Sequence, residues 1–351
     1  MRRALVLARR GWGRTAPNPL VGAVVVRDGA IIAEGWHAAF GGPHAEAVAL
    51  ATAGDRARGA DVYVTLEPCA HHGKTPPCVD ALIAAGVRRV IVAVADPHRV
   101  AGGGIATLRA AGIAVTEGVE REAAEELNAA FLFRHRDDSR PFITLKLALS
   151  LDGALAPGDR SQRWLTGEAA RWQVHRLRSG VDAVGVGIGT ALSDDPALTV
   201  RHGRRPRVPP ARLVFDSHGR LPLESQLVRT ALRVPTWVVS DLIPAATAAA
   251  LTRAGVRLFA VSGLAAQLRL LREAGIGHLM VEGGARLAGA LLSGTFVDRL
   301  VIFQAPVLLG AGALSAFGMV SPGMGAPEQW RVTDRRECGD DLMTTYAPAG
   351  R

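Results

Sequence analysis

The chain has 351 residues, 48% of them hydrophobic and 21% charged, which bounds it to two ordinary globular domains or one large one, with ample material for buried cores. No apolar run reaches the ~18 residues of a membrane span, and three cysteines, an odd and sparse count, argue against a secreted disulfide framework. The net charge of +9 is uneven, +2 over residues 1–140 and +7 over 141–351. A surface for a polyanion would therefore lie in the second half, near RHGRRPR at Arg201 to Arg207. A small phosphorylated ligand needs only a few arginines, so charge alone does not choose.

In chain order, the basic-then-apolar opening MRRALVLARRGWGR predicts an amphipathic helix. Its apolar stretch, Ala4 to Ala8, is shorter than the roughly 7–15 residues of a signal-peptide core, so the cytoplasm is the expected compartment. VGAVVVRDGAIIAEGW predicts a β-hairpin turning at Asp28-Gly29. PHAEAVALATAG predicts a helix opening at Pro43, with Ala47, Val48 and Leu50 facing inward. ADVYVTLEP is a buried strand, PPCVDALIAAG a helix ending at Gly86, and VRRVIVAVADP the next strand. ATLRAAG, the strand IAVTEG and EREAAEELNAAFLF complete a ββαβαβαβα order, an α/β sandwich around a mixed sheet. The charged stretch FRHRDDSRP marks the boundary, giving domains 1–135 and 142–351 joined by a linker at 136–141.

Beyond it, PFITLKLALSLDG predicts a long strand, and TGEAARWQVHRLRSG a helix capped by Thr166 with Gly180 past its end. VDAVGVGIGT predicts a strand entering a glycine-rich turn. ARLVFDS, TWVVSD, VRLFAV, GHLMVEGG and VDRLVIFQAP are further strands, separated by the helices AATAAALTRAG, LAAQLRLLREAG and ARLAGALLSG. The result is a second α/β domain. Of 41 basic residues only Lys74 and Lys146 are lysine. Those two positions favour a compact ammonium over the wide fork of arginine.

The chemistry concentrates in two places. His44-Ala45-Glu46 stands at a helix start, Cys69 at a strand end, and Cys78 at the entrance of the next helix. One imidazole and two thiolates make three zinc ligands and leave the fourth position for a water, whose pKa zinc lowers toward neutrality. Glu46 is placed to shuttle that water's proton. His-x-Glu with Pro-Cys and a second Cys is the signature of zinc nucleobase deaminases, except that here eight residues, not two, separate the cysteines. The alternative is a structural zinc with His71 or His72 as a fourth ligand. The second place is a pair of strand–glycine–helix turns, GVGIGT at Gly185 to Thr190 and VEGG at Gly283-Gly284, which suit a phosphate but also serve as plain packing turns.

The stretches TAPNPLVGAVVV, GWH, PHAE and YVTLEPCAHHGKTPPC resemble the deaminase half of the bifunctional riboflavin-biosynthesis deaminase–reductases. KLALSLDG, SDDPALTVR, DSHGR and VEGGARLAGALL continue the resemblance over nearly the whole chain. It implies a cytidine-deaminase-like α/β/α domain, a dihydrofolate-reductase-like α/β domain, one zinc per chain and NADPH. It also implies a small phosphorylated pyrimidine as substrate, with neither nucleic acid nor membrane as partner, and a homo-oligomer. In the first domain His44, Cys69 and Cys78 would hold zinc, and Glu46 would donate the proton. Asn18, His72 and Lys74, with Thr75, would face substrate. In the second, Ala148, Trp164, Thr190, Asp194, Ser217 and the run Gly284, Ala285, Arg286, Leu287, Ala288, Gly289 and Ala290 would contact NADPH. Gln162, Arg178, Leu198, Arg201 and Glu282 would contact substrate. The run GDRSQRW departs from the family pattern and leaves Ser161 as an alternative to Gln162. Two rival readings are a nucleic-acid-editing deaminase with a basic accessory domain and a non-catalytic zinc module. The near-neutral first half and the long cysteine spacing speak against the former.

Overall fold

A computed structural model describes residues 1–71, 76–98, 102–159, 165–317 and 330–349. The chain divides into two compact units, Met1–Asp137 and Asp138–Arg351.

The first unit runs α1 (Arg2–Ala8), β1 (Gly22–Arg27), β2 (Ala30–Trp36), α2 (Ala45–Ala53), β3 (Asp61–Val64), α3 (Cys78–Ala84), β4 (Arg89–Val92), α4 (Gly104–Ala110), β5 (Ala114–Glu117), α5 (Arg121–Leu127) and α6 (Ala129–Arg136). Its sheet has the order β2-β1-β3-β4-β5. β1 is antiparallel to β2 and β3, while β3, β4 and β5 are parallel. Period-two alternation divides the side chains of β1: Ala23 and Val25 join the core under α2, α3 and α4, and Val24 packs beneath α1 on the other face. α5 and α6 cover that second face through Ala124 and Leu132. Gly35 lets α2 lie directly on the hairpin, because a Cβ there would stand 2.2 Å from the Ala45 carbonyl oxygen.

The second unit runs β6 (Phe142–Leu149), β7 (Ala154–Ala156), α7 (Glu168–Arg178), β8 (Ala183–Gly187), α8 (Ile188–Asp194), β9 (Ala211–Phe215), α9 (Gln226–Arg229), β10 (Thr236–Ser240), α10 (Ala245–Arg253), β11 (Arg257–Ala260), α11 (Leu264–Glu273), β12 (His278–Glu282), α12 (Ala285–Ser293), β13 (Arg299–Gln304), β14 (Leu314–Ser315), β15 (Trp330–Cys338) and β16 (Asp341–Pro348). Nine strands form one sheet in the order β11-β10-β9-β8-β12-β6-β13-β16-β15. From β11 to β13 the neighbours are parallel, and β16 and β15 add an antiparallel hairpin. β12 inserts between β8 and β6, which brings the carboxyl ends of β9, β8, β12 and β6 side by side. In open α/β sheets that rim is where ligands bind.

Several local expectations change. α2 starts at Ala45 with His44 as its N-cap, and its buried face is Ala45, Glu46, Ala49, Leu50 and Ala53, not Ala47 and Val48. The burial follows the hairpin seat, which faces the side that carries Glu46. α7 is capped by Gly167, not Thr166, because the Gly167 N–H donates to Asp341 Oδ2 at 2.7 Å. The glycines after β8 do not form an open turn, since α8 begins at Ile188 and includes Gly189. Half of FRHRDDSRP is helical, the last turn of α6.

Candidate active sites

In the first unit the loop after β3 delivers Cys69, five residues past the strand rather than at its end, the start of α3 delivers Cys78, and His44 caps the start of α2. Their ligand atoms all lie within 4.8 Å of one another. His44 Nδ1 stands 3.3 Å from Cys78 Sγ and 3.5 Å from Cys69 Sγ, and the Cys78 N–H donates to Cys69 Sγ at 3.4 Å. The hydrogen bond from Cys78 pulls the Cys69 thiol down to about 4, with His44 acting in the same direction, and the resulting thiolate holds Cys78 up. The hydrogen bond to Cys69 raises His44. Glu46 is 3% exposed, and burial pushes its carboxyl up to about 7. Its Oε2 is buried without a hydrogen-bond partner. Three soft and borderline donors beside an orphaned carboxylate oxygen fit zinc with one open position.

Two features hold this geometry. Gly104, at the start of α4, lies against the loop that carries Cys69, where a Cβ would stand 1.8 Å from the Pro68 carbonyl oxygen. Buried Glu67 accepts the N–H groups of Asp96, Gly103 and Ile105 at 2.9–3.0 Å. Asn18 lies beside the cluster: its Nδ2 is 3.2 Å from His37 Nε2, and the rings of His37 and His44 meet edge-on at 5.5 Å. His37 Nδ1 faces the Pro43 carbonyl at 3.0 Å. Nδ1 therefore carries the proton, Nε2 accepts from the Asn18 amide, and Asn18 Oδ1 is turned away from His37. His71 does not join the donor cluster; its ring stacks on His98 at 6.4 Å.

In the second unit, Arg178 on α7 and Glu282 at the end of β12 form a two-pronged pair, Nε–Oε1 2.5 Å and Nη2–Oε2 2.9 Å. Arg178 Nη1 also donates to the Thr199 carbonyl at 2.9 Å. One turn earlier on α7, His175 Nδ1 accepts the Arg201 N–H at 3.2 Å. The segment 195–201 is thus tied to α7 at two points, and within it Leu198 is 2% exposed at φ +49°. Arg178 is the largest charge partner holding Glu282 down to about 2 against its burial. Lys146 lies directly across from Glu282 in the β6–β12 register, and burial lowers its pKa.

Other expected contacts lie at the ends of the strands of this rim or in the segments that follow them. Ala148 is one residue from the end of β6, Thr190 and Asp194 lie on α8 directly after β8, and Ser217 follows β9. Gly283 and Gly284 have φ of +60° and +82° and lead into α12. Gly284 packs so closely on Thr190 that a Cβ would stand 3.1 Å from its Oγ1. The first amides of α12, at Ala285, Arg286 and Leu287, have no carbonyl partner inside the helix and suit a phosphate. Ala288, Gly289 and Ala290 continue that helix, with Ala288 and Gly289 buried. His72, Lys74, Thr75, Ser161, Gln162 and Trp164 lie outside the described residues.

Sequence reading assigned no role to His37, Glu67, Gly104, Asn128 or His175. The motifs GWH and TLEPC hold the first two. The roles of these two become visible only when partners up to 38 residues away are placed, and that of Asn128 only with a partner 108 residues away.

Residues 1–94 match the cytidine and deoxycytidylate deaminase zinc-binding region, and residues 141–344 match the RibD C-terminal domain. The chain therefore carries a zinc-binding deaminase domain and a reductase domain, a hydrolase and an oxidoreductase on one polypeptide. It belongs to the family of riboflavin biosynthesis protein RibD. The chain is 44% identical to RibD of Aquifex aeolicus over 89% of this chain and 87% of that protein. It is 40% identical to RibD of Escherichia coli over 97% of this chain and 96% of that protein. Among solved structures, RibD of Acinetobacter baumannii superposes with a TM-score of 0.84 at 36% identity, covering 99% of this chain and 97% of that one. A diaminohydroxyphosphoribosylaminopyrimidine deaminase/5-amino-6-(5-phosphoribosylamino)uracil reductase of Thermotoga maritima gives 0.83 at 35% identity, with coverage of 99% and 97%. Zinc serves the deaminase half and NADPH the reductase half.

Proposed function

We infer that residues 1–135 hydrolyse the 2-amino group of 2,5-diamino-6-ribosylamino-4(3H)-pyrimidinone 5′-phosphate, and that residues 142–351 then reduce the ribosyl group to ribityl. The product is 5-amino-6-(5-phosphoribitylamino)uracil. The observation that carries the first step is the convergence of His44, Cys69 and Cys78 within 4.8 Å, beside the buried, unpartnered Oε2 of Glu46. His44 Nδ1 and the two sulfurs would hold zinc, which supplies a water acidified to near-neutral pKa. Glu46 takes a proton at Oε2 and passes it to the departing amine. The water oxygen bonds to the ring carbon that carries the amine, the C–N bond breaks, ammonia leaves, and a carbonyl remains. Asn18, His72 and Lys74 would hold the pyrimidine and its phosphate.

In the second step ribosyl C1′, an aldehyde or imine equivalent, would take its hydride from bound NADPH and the balancing proton from solvent. Ala148, Trp164, Thr190, Asp194, Ser217 and the segment from Gly284 to Ala290 would bind NADPH. Leu198, Arg201, Glu282 and Gln162 would hold the substrate. The Arg178 guanidinium is engaged by Glu282 and the Thr199 carbonyl, so it would shape the substrate segment as much as touch it. The same reading, resting on the family resemblance, has the chain self-associating in the cytoplasm. Among the described residues no helix is long and apolar enough to cross a membrane.

Ammonia release and NADPH oxidation, followed separately on the diaminopyrimidine phosphate, test both halves. Chelation should stop ammonia release while leaving NADPH oxidation on the pre-deaminated substrate, and Glu46→Gln should lose ammonia release with zinc retained. Reduction lost on chelation with deamination spared would overturn the assignment.

A further inference from the structure

A buried amide grips the Asn18 turn from far along the chain. Asn128 is 4% exposed. Its Oδ1 accepts the Leu20 N–H at 2.8 Å, and its Nδ2 donates to the Leu20 carbonyl at 2.9 Å. One side chain thereby satisfies both backbone groups of a buried residue two positions after Asn18, as a neighbouring strand would.

Asn128 is itself rigidly seated. It separates α5 from α6 with φ −108° and ψ 18°, its N–H donates to the Ala124 carbonyl, and its carbonyl accepts from Leu132. A second tether comes from the next turns of α6, where Arg134 Nη2 donates to the Pro17 carbonyl. α6 reaches the other side of the site as well. The His135 ring meets His98 at 4.8 Å, and His98 stacks on His71, two residues after Cys69. The α5–α6 pair lies outside residues 1–94, the span shared with the zinc-binding region.

We propose that Asn128 is a positioning residue for deamination: with Arg134 it fixes the turn 17–20 so that Asn18, oriented by His37, presents its amide at one set distance from the metal cluster. The helix pair thereby converts a common zinc core into a site for one pyrimidine. The inference rests on the reading of Asn18 as a substrate contact.

A double-mutant cycle tests it, with zinc content, melting temperature and deamination kinetics on the diaminopyrimidine phosphate measured for each protein. Asn128→Leu removes both hydrogen bonds at nearly constant volume. It should raise KM about tenfold with kcat changed by no more than about twofold, at unchanged zinc content. In an Asn18→Ala background the same change should have no further effect on KM, because coupled residues are not additive. A KM effect of equal size in both backgrounds, or a lowered melting temperature with KM unchanged, would overturn the positioning role. Wild-type kinetics in Asn18→Ala alone would instead sink the substrate reading, and the positioning role with it. If Asn128→Leu does not fold, Arg134→Met cuts the second tether and should give the same non-additive pattern with a KM rise of about threefold.

Discussion

Arg178 and Glu282 bind each other fork to fork across 104 residues of sequence, with side chains only 10% and 12% exposed. A pair this deeply buried is stabilised by its geometry and by the hydrogen bond to Thr199, since desolvation alone opposes it.

Removing one partner leaves the other charge uncompensated. Glu282→Gln should cost about 3–5 kcal/mol in denaturant unfolding of the second unit and should abolish reduction while leaving ammonia release intact. Exchanging both partners, Arg178→Met with Glu282→Met, should recover much of the stability and none of the reductase activity. Equal stability losses in the single and double variants would contradict the pairing.

Acid should weaken the second unit through His278. This ring is buried beside Thr144, with its Nε2 at 2.9 Å from Thr144 Oγ1, and burial pushes it down to about 3. An unfolded histidine titrates near 6.5, so between those values the unfolded chain holds a proton that the folded chain does not. The contribution is fully present above about pH 6.5 and is lost as pH falls toward about 3. His175, lowered to about 4 chiefly by burial, has the same sign. The denaturation midpoint should fall from pH 7 to pH 4, and His278→Gln should flatten that slope. An unaltered slope would assign the acid sensitivity elsewhere.

Gly104 tests how firmly the metal site is held from outside its ligands. Adding one methyl there forces Pro68 or α4 to move, at a cost of about 1–3 kcal/mol. Gly104→Ala should therefore lose zinc to a competing chelator more readily than the parent, measured by metal release, with reduction of pre-deaminated substrate unchanged. Parent-like zinc retention would show that the Cys69 loop adjusts freely.

The convergence of His44, Cys69 and Cys78 was legible because its chemistry is local in type: histidine and glutamate at a helix start, and cysteines in the loop after a strand and at a helix entrance. The paired glycines before α12 were legible for a similar reason, since positive φ favours glycine. The supports were not. Asn128 and Glu67 act on backbone groups, which leave no compositional trace, and their partners are 29 to 108 residues away. The β15–β16 hairpin also went unread. WRVTDRREC is rich in charge, and its half-exposed edge position removes the apolar alternation on which strand reading depends.

The insertion of β12 between β8 and β6 also has a consequence during synthesis. Met280 pairs with both Val184 and Thr144, partners that leave the ribosome long before it does. Until residues 278–282 emerge, β6 has neither of its sheet neighbours, since β13 follows later still, and β8, paired with β9, presents an open edge. A nascent or truncated chain stopping short of β12 would be prone to edge-to-edge association. Protection of those edges by a chaperone, or slow release of the growing chain, would matter most over that interval.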